Sequence, residues 1–123
     1  MLKTHGCGVL RESDAGSEVV LAGWVHRRRN HGGLVFLDLR DSTGIVQIVV
    51  HPDEAPEAFR ATEDVRNEFV VQVRGRVEVR RDGTANADLA TGGIEVHARV
   101  LEVGCGQGFA ALLAVLAVAI AAD

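Results

Sequence analysis

From Glu18 to about Val103 the chain alternates apolar and polar positions in short runs rich in valine, isoleucine and leucine, with glycine punctuating the runs. A period of two over that length predicts five strands, at residues 17–29, 34–41, 44–50, 68–81 and 93–103. Between the third and fourth the period lengthens. Residues 52–67 predict a helix with Asp53 as N-cap, Pro56 in the first turn, and Ala55, Ala58, Phe59, Thr62 and Val65 along one stripe.

Five strands with a helix inserted after the third predict an all-β fold, a five-stranded Greek-key barrel of the OB type. Gly23 relieves a long bent first strand and Gly75 relieves the fourth. Short connections predict antiparallel pairing. An immunoglobulin-like sandwich needs more strands than the pattern supplies. The barrel is expected to occupy residues 1–103 as one domain, followed by a separate stretch at 104–123.

Alternation also assigns faces. Val35, Leu37 and Leu39 form one side of the second strand, leaving Phe36, Asp38 and Arg40 on the other. An aromatic among charges suits single-stranded nucleic acid, because every base has a face to stack, although barrel curvature can also bury such a ring. Arg27 and Arg29 share a parity, with Arg28 pointing across, and guanidinium groups bind phosphates or base edges when they are not simply solvated. Gln47 opposes Val46, Ile48 and Val50 in parity, and its amide offers the donor and acceptor that a uracil edge requires. In the last strand Ile94, Val96, Ala98 and Val100 read as inward, with Glu95, His97 and Arg99 outward. A carboxylate such as Glu95 can accept both N–H donors of a guanine edge. Arg74, Arg76 and Arg80 read as solubilising charge on the fourth strand.

Composition narrows the field. Seventeen acidic against thirteen basic residues give a net charge of −4, so any nucleic-acid binding must come from a local patch. Cys7 and Cys105 have neither CxxC nor metal-ligand spacing and read as reduced thiols of a cytoplasmic protein. The first sixteen residues lack the apolar run of a secretory signal. No phosphate-binding loop or nucleophile elbow is present, and His5, His26, His31, His51 and His97 are scattered, without a metal-ligand pattern. The GCGQG run at 104–108 lacks GxGxxG spacing and receives no role.

Residues 106–123 are almost purely apolar. As a helix, Phe109 to Ala122 would reach roughly 21 Å, short of the ~30 Å hydrocarbon core, so no membrane span is expected. A helix packed on the barrel or on a partner fits the pattern, and so does frameshifted sequence.

THGCGVLR at the start, LAGWVHRRRNHGGLVFLDLRDSTGIVQIVV, VRNEFVVQVRGRV and NADLATGGIEV together resemble the N-terminal anticodon-binding domain of bacterial aspartyl-tRNA synthetases, over about residues 1–103. The resemblance implies that the partner is a tRNA anticodon stem-loop, that of tRNA-Asp. Phe36 would stack on the central uridine and Gln47 would bond its edge. Glu95, with Arg29 nearby, would read the first-position guanine. Arg27 would touch anticodon bases or phosphates, and Asn86 would lie in the loop nearing the third base. His31 and Gly83 resemble the residues of the non-discriminating type, which also charges tRNA-Asn. The family's class II catalytic motifs, with their ATP, magnesium and aspartate sites, are not in this sequence, so the chain is expected to need no cofactor and to bind without aminoacylating. The family's dimers make a homodimer compatible with this reading. A generic single-strand binder and a structural protein oligomerising through its tail are the rival readings.

Overall fold

The computed structural model describes residues 3–81 and 84–104; Gly83, Cys105 and the apolar stretch expected to be helical lie outside the described residues. The strands are β1 (Glu18–His31), β2 (Leu34–Asp41), β3 (Gly44–Val50), β4 (Val70–Val79) and β5 (Ile94–Val103), with one α-helix, α1 (Pro56–Ala61), between β3 and β4. They close into a barrel in the order β1-β2-β3-β5-β4, the five-stranded OB architecture.

β1 belongs to two pairings. Its first half runs antiparallel to β4 and its second half to β2, with Trp24 paired to both Val70 and Arg40 at the changeover. Gly23 is required there, because a Cβ would collide with the Arg40 carbonyl oxygen. Leu21, Leu37, Leu39, Ile48 and Ile94 have no exposed surface and fill the barrel with a set of buried valines. Truncating any of these leucines or isoleucines to alanine removes about 2–5 kcal/mol of stability.

The structure corrects the sequence reading at four points. β3 and β5 pair in parallel, Ile48 with Val96 and Val49 with His97, because the chain passes through α1 and β4 before returning to close the barrel. The helix is shorter than 52–67, with α1 followed by a 3-10 turn at Thr62–Asp64. Ala55, not Asp53, is its N-cap, because the Ala55 N–H is already bonded to the His51 carbonyl in a preceding turn and Pro56 takes the first helical position. The predicted stripe does face inward: Ala55, Ala58, Thr62 and Val65 are buried, with Phe59 packed at the margin.

The fourth correction concerns alternation in β5. Arg74 pairs with Val100 but Gly75 pairs with Ala98, so Arg99 is an extra residue in the ladder. Beyond it the faces exchange, and Leu101 is buried in place of Val100, which is half-buried.

A second bulge has a larger consequence. Val25 pairs with Leu39 and Arg27 with Asp38, leaving His26 unpaired. Val19, Leu21 and Val25 all point into the core. Unbroken alternation would have sent Arg27 and Arg29 after them. The bulge at His26 turns both toward the face that carries Phe36 and Asp38.

Candidate nucleic-acid interface

On that face the polar side chains join across five strands. Arg29 Nη2 donates to Asp38 Oδ1 at 2.9 Å and to Gln47 Oε1 at 3.1 Å, and its guanidinium lies 5.6 Å from the Phe36 ring centre. Gln47 Nε2 donates to Glu95 Oε2 at 3.0 Å. Glu95 Oε1 lies 3.1 Å from His97 Nε2, and His97 Nδ1 lies 2.8 Å from Glu78 Oε2. The barrel's register produces this row: Arg29 is paired with Phe36, Asp38 with Gln47, and Glu95 with Glu78.

Charge follows the same path. Burial pushes the Glu95 carboxyl up, but hydrogen bonds from His97 and Gln47 and the charges of His97 and Arg80 hold it below the usual carboxylate range. It is a carboxylate at neutral pH. The hydrogen bond to Glu95 raises the His97 pKa; burial opposes this, and the charges of Glu78, Glu95 and Glu54 reinforce it. Burial lowers the Arg80 pKa, although Glu95 and Asp38 favour its charge.

The row is not saturated, and Arg29 Nε is buried without a hydrogen-bond partner among the described residues. The Gln47 amide engages one oxygen lone pair and one N–H, leaving one of each, and the Glu95 oxygens have further lone pairs. Gln47 is buried, with 9% of its surface exposed, so a base edge would reach its spare groups only at the surface of the row.

Among the residues expected from sequence, Arg29, Phe36, Gln47 and Glu95 stand in this row. Arg27 is exposed beside it, in register with Asp38. His31 joins Arg29, Asn30 and Phe36 around an open hollow of about 420 Å³ at the barrel rim. Asn86 lies on the exposed loop before β5, where its side-chain oxygen accepts the Asp88 N–H at 3.0 Å. Gly83 falls outside the described residues.

Sequence reasoning missed the groups that hold the row in place. Asp38 was visible only by its parity with Phe36. Glu78 and His97 flank Glu95 by pairing and by i, i+2 spacing. Arg80 is half-buried, its Nε donating to the Ile94 carbonyl at 2.9 Å, so it is not a free surface charge.

A barrel presenting aromatic, amide and carboxylate groups on one face is a single-strand-binding architecture. The model of the OB-fold nucleic acid binding domain matches residues 19–103, and the chain belongs to that family. It is 59% identical over 96 residues to an aspartate-tRNA(Asp/Asn) ligase of Moorella thermoacetica, a match covering 78% of this chain and 16% of that protein. It is 56% identical over 104 residues to an aspartate-tRNA(Asp/Asn) ligase of Mycobacterium leprae, covering 84% of this chain and 17% of that one. The chain therefore spans about a sixth of the length of these curated relatives. Among solved structures, asparaginyl-tRNA synthetase from Pyrococcus horikoshii superposes with a TM-score of 0.70 at 36% identity, over 84% of this chain and 23% of its own. Among the described residues no helix is long and apolar enough to cross a membrane.

Proposed function

We propose that this chain is the anticodon-reading domain of an aspartate-tRNA ligase acting in the cytoplasm, and that it binds the anticodon loops of both tRNA-Asp and tRNA-Asn. The observation that carries the reading is the row Phe36, Arg29, Gln47 and Glu95, which offers a stacking ring, an amide edge and a carboxylate in succession. The relatives' names, which include both tRNA-Asp and tRNA-Asn, support it.

In this reading Phe36 stacks on the central base and Gln47 presents its spare donor and acceptor to that base. Glu95 accepts the N–H groups of the first base. Arg27 contributes phosphate attraction. His31, Gly83 and Asn86 bear on the third base, where tolerance would admit both tRNAs. The chain itself needs no cofactor; ATP and magnesium serve a catalytic portion of the ligase beyond these residues, which also carries aminoacylation. A homodimer is compatible with this role.

The test is titration with anticodon stem-loops for Asp, for Asn and for an unrelated amino acid at two salt concentrations. Asp and Asn loops should bind alike and more tightly than the third, and both should weaken with salt. Phe36→Ala should lose about 1–3 kcal/mol of that binding. Equal binding of all three loops would sink the anticodon reading and leave a general single-strand binder.

A further inference from the structure

His51 and His97 are far apart in sequence, but the parallel pairing of β3 with β5 stacks their rings, with centres 5.0 Å apart. Glu54, on the turn after β3, completes a group in which one ligand atom from each residue lies within 4.8 Å of the others. We propose that His51, His97 and Glu54 form a binding site for a divalent transition metal of the zinc class.

Three observations carry this. The first is the donor set, two imidazoles and a carboxylate, which is the chemistry zinc selects and which leaves a fourth position for water or another carboxylate. The second is His51 Nε2, which is buried and has no hydrogen-bond partner among the described residues. A buried imidazole nitrogen left unpaired is destabilising, and a bound cation would satisfy it. The third is the setting of His97, whose two ring nitrogens each face a glutamate. Whichever nitrogen turns to a metal, the other stays held by a carboxylate, as ligating histidines usually are.

Geometry and charge are compatible with occupancy. Neighbouring ligand atoms around tetrahedral zinc are about 3.3 Å apart. The 4.8 Å limit must therefore contract, and Glu54, an exposed side chain, can move to close it. The charges of Glu54, Glu78 and Glu95 act on His97, while Arg76 is held by Glu78 at 3.0 Å. An open cleft of about 410 Å³, bordered by Glu54, Glu78 and His97, connects the cluster to solvent.

The experiment is calorimetric titration of the chelator-treated full chain with Zn2+, repeated with Co2+ so that its visible absorption reports a four-coordinate site. One Zn2+ per chain is expected. Both His51→Gln and Glu54→Gln should weaken binding by at least the 10- to 100-fold typical of lost metal-site partners. Glu54 is exposed, so its variant keeps the fold and decides the matter even if His51→Gln unfolds. Failure of the wild-type chain to bind Zn2+ overturns the proposal. Undiminished binding by folded Glu54→Gln and His51→Gln chains also overturns it, by placing the metal elsewhere.

Discussion

Two acidic side chains at different places in the barrel are both wrapped in hydrogen bonds, and they behave differently. The Asp41 side chain has no exposed surface. Its Oδ2 accepts from the Cys7 N–H at 2.8 Å and Lys3 at 3.2 Å, and its Oδ1 from the Thr43 N–H at 2.8 Å and hydroxyl at 2.6 Å. These bonds fasten the N-terminal segment to the β2-β3 turn and leave nothing for a ligand. Glu95 keeps 17% of its side chain exposed and holds only side chains, Gln47 and His97, which can themselves turn toward a base. A closed network fastens the fold; an open one leaves side chains that a ligand could engage.

The largest test of that contrast is Asp41→Ala. It strands two backbone N–H groups and a hydroxyl, and should lower unfolding stability by on the order of 3 kcal/mol. Denaturant melts read the loss, and RNA affinity of the folded fraction should be unchanged. If affinity falls in step with stability, the two networks are not separable.

Glu95→Gln should do the reverse. It leaves the barrel close to its original stability but weakens binding of loops with guanine in first position by about 1.5–3 kcal/mol, the range for a hydrogen bond to a charged group. Titration with loops carrying guanine or adenine there reads the effect, and an equal loss for both would refute the carboxylate's role.

Acid sharpens the comparison from the other side. Burial pushes the Asp41 carboxyl up, but bonds from Thr43, Cys7 and Lys3 outweigh it and hold the group below its ordinary value. A depressed carboxyl contributes stability above its unfolded pKa. That contribution is lost as the pH falls from about 4 through the lower folded value. Melts across this range should show Asp41→Asn flattening the acid slope.

The smallest effect belongs to Arg27→Ala. An exposed guanidinium acting on phosphate should weaken all loops alike, and its removal should reduce the salt slope of binding by about 0.7 for each phosphate it neutralises. A change confined to one anticodon would make Arg27 a base reader.

Much of this face was legible in the sequence. Phe36 is an aromatic on a polar parity, Gln47 interrupts an apolar run and Glu95 takes the outward side of a regular alternation, and the approximate strand positions follow from the same period. Arg27 and Arg29 were legible as a pair, but the reason they face outward was not: the bulge at His26 depends on how β2 pairs with β1. His97 looked like one scattered histidine among five, because nothing local relates it to His51.

By itself the sequence determined five strands, one helix after the third, the valine and leucine core, and an aromatic-amide-carboxylate face. Alternation and burial preference act over a few residues, so each can be read along a line. The tertiary structure decided the parallel contact of β3 with β5, the two bulges that exchange faces, the closed bonding of Asp41, and the meeting of His51 with His97. Each is a consequence of closing the barrel. Closure fixes register between strands distant in sequence, and only register determines which side chains stand opposite one another.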